Sequence, residues 1–198
     1  MNPTSPSPAR TLIRTLLWQR VDQPGLEHCQ LWDLGDGVAL EGTVIGALPD
    51  HDPMQVDYEI ICSRTWETRT VHVTLTQGAT TRELDLRVDE HRRWWRGDEE
   101  LPALVGCIDV DLSATPSTNT LPIRRLALAV GDGRDVTAAW IRLPELTVQP
   151  LPQRYLRTGD QQYRYESRGG AFTAMLDVDE LGLVVDYPPA WARVRVRS

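Results

Sequence analysis

Apolar residues recur at every second position along most of this chain, and that alternation restricts the fold more than any other feature. Val71, Val73 and Leu75 fall on one side of an extended segment, with His72, Thr74 and Thr76 on the other. Leu84, Leu86 and Val88 alternate with Asp85 and Arg87; Ala139, Ile141 and Leu143 with Trp140 and Arg142; Phe172, Ala174 and Leu176 with Thr173 and Met175. Side chains of a strand point to opposite faces in turn, so each run reads as a strand with one buried face. Turn formers separate the runs at Gln77-Gly78, Gly131-Asp132-Gly133, Gly169-Gly170 and Glu180-Leu181-Gly182. Such spacing favours hairpins and a mostly antiparallel sheet. The stretch 12–20 mixes both periods and reads as strand, because Pro24 and Gly25 follow soon after it.

Helical signals are few. Residues 99–105 suit one short turn, with Pro102 near its start. The long amphipathic helices that a parallel α/β sheet requires are missing from the pattern. A dozen or so strands make a sheet too large to stay open and flat, so it must curl into a barrel, split into a sandwich or roll around itself. The expected fold is therefore mainly all-β: a curled antiparallel sheet around an apolar interior, with few short helices. Small inward positions, expected at Ala127, Ala129, Ala139 and Ala174, would leave room inside for an apolar guest. Alternation by itself does not distinguish a filled interior from a hollow one.

At 198 residues the chain is long enough for one domain with a sizeable core. Residues 1–10, rich in Pro and Ser, read as a flexible N-terminal tail, and 11–198 as a single domain. The 28 acidic residues against 21 basic ones give a net charge of −7, which excludes an overall basic surface for nucleic acid. No apolar run approaches the ~20 residues of a transmembrane segment. The N-terminal apolar patch is broken by Arg14 and has no small-residue cleavage site after it, so no secretory signal is expected. The three cysteines, Cys29, Cys62 and Cys107, have neither disulfide-framework nor zinc spacing and suit a reducing, cytoplasmic compartment.

No nucleophile elbow, phosphate loop, HExxH or dinucleotide fingerprint is present, so no catalytic residue, metal or cofactor is expected. His28-Cys29 is an adjacent soft-ligand pair without the further ligands a metal site needs. The sharpest local feature is Asp109-Val110-Asp111. In a strand both carboxylates point to the same side, about 6.6 Å apart. Their repulsion is about 0.6 kcal/mol in water and ~2.5 kcal/mol at an effective dielectric constant of 20. A buried face would therefore require cations, and a structural network of Asp109 and Asp111 with Arg124 or Arg125 is expected. The competing reading is a DxD metal or acid–base pair opening into a cavity, for which the nucleotide-binding α/β context is absent. Of the seven tryptophans, Trp18, Trp32, Trp140 and Trp191 suit a β core, while Trp66, Trp94 and Trp95 lie near turns or strand ends and suit a cavity mouth.

The segment GCIDVDLSATPSTNTLPIRRL, Gly106 to Leu126, closely resembles the signature of the putative glycolipid-binding family. Further matching pieces are Tyr58-Glu59-Ile60-Ile61-Cys62 with Trp66 and Thr68-Arg69, then Trp95, Pro144-Glu145-Leu146, Tyr163-Arg164-Tyr165 and Phe172-Thr173-Ala174. Val178-Asp179, Gly182-Leu183-Val184, Tyr187-Pro188 and Trp191 complete the pattern, which runs from about Trp18 to Arg193. Ser63 stands where the family commonly has an Asp after the cysteine. The resemblance implies a spiral β-roll, like that of the lipoprotein-localisation carriers that hold acyl chains inside a half-barrel. It also implies a small amphipathic ligand, a lipid or glycolipid, for which Trp66, Trp95, Asn119 and Tyr163 are the candidate binding residues. Two alternatives stand beside it: a hydrolase or transferase acting on such a ligand through Asp109 or Asp111, and a roll filled by its own side chains that serves as an interaction protein.

Overall fold

A computed structural model describes residues 10–47 and 52–194. The N-terminal tail expected over 1–10 lies, except for Arg10, outside the described residues. Among the described residues, fifteen strands form one curled, unclosed sheet, and 61% of those residues are in strands. Eight come first: β1 (Thr11–Arg20), β2 (Gly25–Asp33), β3 (Gly37–Gly46), β4 (Met54–Ser63), β5 (Thr68–Gln77), β6 (Thr80–Val88), β7 (Trp94–Arg96) and β8 (Glu99–Glu100). After a 3-10 turn at Pro102–Leu104 come β9 (Asp109–Leu112), a second 3-10 turn at Ser117–Asn119 and the short helix α1 (Thr120–Leu126). The chain ends in β10 (Gly133–Arg142), β11 (Thr147–Gly159), β12 (Gln162–Ser167), β13 (Phe172–Val178), β14 (Val184–Tyr187) and β15 (Trp191–Arg193).

Two antiparallel meanders, β1 to β8 and β10 to β15, are stitched together where β1 pairs with β15. Strand 12–20 and the turn near Pro102 form as the sequence predicts. The exception to antiparallel pairing is β9, which runs parallel to β10. Between the ends of the two meanders, the chain passes from one edge of the sheet, β8, to the opposite edge, β9. It crosses inside the curl: Thr68 on β5 donates its N–H to the Ile108 carbonyl, and its hydroxyl accepts the Val110 N–H. The sheet thus winds over itself as a spiral β-roll, with β9 inside.

β9 and the residues of β10 beside its start, Ala138 and Ala139, are buried on both faces. Val110, Leu112, Ala139 and Ile141 face one way into the apolar core, and Asp109 and Ala138 on the opposite face are just as buried. Leu112, Leu121, Ile141 and Trp18 are all fully buried there. Within the segment 109–126, Asp109, Val110, Leu112 and residues 114–123 are buried. Ala139 and Ala174 are buried as expected, but Ala127 and Ala129 are exposed. Ala127 is the left-handed residue that ends α1 (φ 44°), so the chain turns outward at that point.

Candidate functional site

The two carboxylates of the DxD segment have different partners. Arg125, in the last turn of α1, grips Asp109 with both forks: Nε to Oδ1 at 2.9 Å and a second nitrogen to Oδ2 at 2.5 Å. Burial pushes the Asp109 carboxyl up, and the Arg125 guanidinium opposes that shift. Asp111 meets neither arginine. Its Oδ2 accepts from the Gln153 amide at 2.5 Å, and burial pushes its carboxyl up to about 6. Arg124 instead stacks on Trp66, 5.2 Å from the ring centre. The expected four-residue network therefore divides into one bidentate ion pair, one carboxylate held by an amide, and an arginine on an indole. The ladder sets Asp111 beside Trp140 and Trp140 beside Gln149, whereas Gln153 lies beside Val136, so the Gln153 amide reaches Asp111 through the curl of the sheet and not along the register; the helical turn aims Arg125 and Arg124 to different sides.

Asp111 lies in the wall of a cleft of about 360 Å³. Trp140 from β10, Tyr165 from β12, Phe172 from β13, and Tyr187 and Trp191 at β14 and β15 form its aromatic lining. Tyr165, Phe172 and Tyr187 form a mutual cluster with edge-on ring contacts, Tyr165 lying 6.0 Å from Phe172 and 6.3 Å from Tyr187, and Phe172 6.3 Å from Tyr187. All five project inward from the second meander and its junction with β1, so the period of two that builds the strands also builds the cleft. Arginines stack on both tryptophans: Arg168 5.2 Å from Trp140 and Arg20 5.1 Å from Trp191. Arg20 is also bidentate to Asp22.

The inner wall comes from the 109–126 segment. Asn119 accepts from the Tyr155 hydroxyl at 2.9 Å and donates to the Pro116 carbonyl at 3.1 Å, which fixes its amide in the lining. Thr115, also in the lining, belongs to a buried cluster behind it. Thr115 and Tyr58 both donate to Glu27 Oε1, at 2.6 and 2.5 Å, and Tyr58 is 2.9 Å from Ser117. Burial pushes the Glu27 carboxyl up to about 8, against the pull of its two hydroxyl donors.

Of the four binding residues expected from sequence, Asn119 reaches this cleft. Trp66 lines a separate pocket of about 210 Å³ with Ile13 and Arg124. Tyr163 lines a third concavity with Arg157 and Asp179. Trp95 sits on β7 between Arg87 and Arg93, with its indole N–H on Asp89. The sequence reading assigned Trp140 and Trp191 to the core; Trp191 is buried in it while also edging the cleft, Trp140 is half-buried in the cleft wall, and Tyr165, Phe172, Tyr187 and Arg168 were not named as binding residues. The signal for the tyrosines was present in the segments 163–165 and 187–188. The cysteines are free and buried, and the described residues contain no cluster of His, Cys, Asp and Glu suited to a metal ion.

The sequence pattern of a family described as "Putative glycolipid-binding" matches residues 15–193. The chain belongs to this family. A solved structure, a DUF1089 family protein from Pseudomonas aeruginosa, superposes with a TM-score of 0.79 at 36% identity, covering 86% of this chain and 92% of that one. No curated protein matches the sequence. Membership in the glycolipid-binding family accords with a lipid-type ligand, and no helix among the described residues is long and apolar enough to cross a membrane.

Proposed function

We propose that this protein binds an amphiphile by its sugar head group, with the ring seated in the cleft between Trp140 and Tyr187. The observation that carries the reading is the pairing of an aromatic lining with an available carboxylate, Asp111, in one concavity. A sugar ring offers C–H groups on its faces, which suit aromatic surfaces, and hydroxyls at its edge, which need fixed acceptors and donors. Asp111 supplies an acceptor, and Arg168 a cationic donor. Leu151, Phe172 and Ala190 provide apolar surface for the first carbons of a tail. The packed 109–126 segment supports the head group, rather than an acyl chain in the roll's interior, as the main recognition element.

The test is a tryptophan-fluorescence titration with alkyl glucosides, lysophospholipids and fatty acids, each below its critical micelle concentration. Alkyl glucosides should bind best, and Trp140→Ala should remove most of the signal and the affinity. Each CH₂ fully buried contributes about 0.8 kcal/mol. A carrier with a hollow interior would therefore show affinity climbing steeply with chain length whatever the head group.

Asp111 also favours a second reading, a hydrolase or transferase in the same cleft. A carboxyl near 6 is suited to proton transfer close to neutral pH. An Asp111→Asn variant that keeps binding but loses turnover of a bound glycoside would establish it.

A further inference from the structure

A second cleft, of about 490 Å³, lies on the other side of the Asp111–Gln153 hydrogen bond. Ser167 lines both clefts, and Gln153 lines the second while its amide holds Asp111 in the first. The two clefts are thus neighbours that share Ser167 and meet at the Gln153–Asp111 hydrogen bond. Over it runs the turn joining β12 to β13. Arg168 reaches into the first cleft, whereas Gly169 and Gly170 line the second.

That turn has an unusual backbone. Arg168, Gly169 and Gly170 are all left-handed in succession, with φ of 53°, 65° and 89°. The two glycines adopt this freely; for an arginine it is strained. Its guanidinium lies over Trp140 across the cleft, which holds the turn down.

The charges have a residue of their own. In the second cleft Arg125 is paired with Asp109, Arg154 with Asp135, and Glu166 with Arg164. Arg134 donates only to the carbonyl of Gly133 and has no carboxylate partner among the described residues. In the first cleft Arg20 is paired with Asp22, and Arg168 has no carboxylate partner among the described residues. Two cations and one anion, Asp111, remain uncompensated around the shared wall.

We propose that the two clefts are one bipartite site, joined beneath the Arg168–Gly170 turn, that takes an amphiphile whose sugar head carries an anionic substituent such as a phosphate or carboxylate. This rests on the sugar reading above and extends it. The ring occupies the aromatic half, and the anionic group lies between Arg168 and Arg134. Guanidinium forks suit such oxyanions. Burial of Asp111, which raises its carboxyl to about 6, eases its protonation when an anion approaches.

The experiment compares octyl glucoside with octyl glucoside 6-phosphate by calorimetry, with inorganic phosphate as the reference anion. The phosphorylated sugar should bind at least tenfold tighter than the neutral one, and inorganic phosphate weaker than either. Arg134→Gln and Arg168→Gln, each checked for an unchanged circular dichroism spectrum, should each shrink that tenfold preference to threefold or less. Equal affinity for the two glucosides would overturn the bipartite site and leave the sugar reading standing. Failure of both to bind would remove both readings. Inorganic phosphate binding as tightly as the phosphorylated sugar would also overturn the proposal, since the sugar would then add nothing.

Discussion

The Tyr58 hydroxyl donates to Glu27 Oε1 at 2.5 Å, a bond that ties β4 to β2 inside the roll. Thr115 donates to the same oxygen, so the segment that crosses the interior is anchored to the first meander through one buried carboxyl. The other oxygen of Glu27 is buried and unpartnered among the described residues.

Glu27 should make stability fall as pH rises. Its folded-state pKa, about 8, lies above the ordinary 4.5, so the folded protein holds the proton more tightly than the unfolded chain. The stabilisation is complete below about pH 4.5, declines as pH rises, and is gone above about 8. Asp111 and Asp109, also raised, act in the same direction at lower pH. Urea denaturation at pH 5, 6.5 and 8 should show this decline, and Glu27→Gln should flatten it across the upper half of that range.

Gly42 should be intolerant of a side chain. It stands between Cys29 and Tyr58 in the register, and a Cβ there would come within 2.5 Å of the Tyr58 ring and hydroxyl. Tyr58 would have to leave Glu27. Overpacking of this kind costs typically about 1–3 kcal/mol. A lowered unfolding midpoint for Gly42→Ala, with little further loss when the same change is added to Tyr58→Leu, checks the contact.

Asp109 and Asp111 should separate cleanly by mutation. Asp109→Ala leaves the partly buried Arg125 without its partner and should cost about 3–5 kcal/mol. Asp111→Ala removes one hydrogen bond at the edge of a cleft and should cost about 1 kcal/mol. Chemical denaturation of the two variants side by side decides the point, and similar costs would show that both carboxylates are structural.

The strands were legible in the sequence because each of their inner faces needs alternating apolar residues, and Val71–Leu75 or Phe172–Leu176 show this without help. The shared face of Asp109 and Asp111 was legible for the same reason. Their partners were not, because Gln153 reaches Asp111 through the curl of the sheet and Arg125 reaches Asp109 through the turn of α1, neither of which local periodicity encodes. Burial on both faces at β9 and at Ala138 and Ala139 of β10 was hidden for a related reason: the two alanines are small enough for either side. The cleft draws its rings from Trp140 to Trp191 across five strands. Trp66 and Trp95, judged by their nearness to turns, meet arginines elsewhere on the roll.

Sugar affinity should depend on pH through Asp111. The ionised carboxylate is the better acceptor for a hydroxyl, so binding of octyl glucoside should weaken as pH falls through about 6. Arg168, the Arg20–Asp22 pair, Tyr165 and Tyr187 share the cleft with Asp111. Both tyrosines are pushed well up by burial and remain neutral throughout this range. Calorimetry at pH 5 and 7.5 should show a several-fold difference in Kd that Asp111→Asn abolishes.

Recognition of a sugar head in the aromatic cleft is tested most directly by a crystal structure of the protein grown with saturating octyl glucoside. The ring should lie against Trp140 and Tyr187, with a hydroxyl within hydrogen-bond distance of Asp111 and the 109–126 segment unmoved. An alkyl chain threaded into the roll in place of Leu112, Leu121 and Ile141, or an empty cleft with the glucoside bound elsewhere, would contradict it.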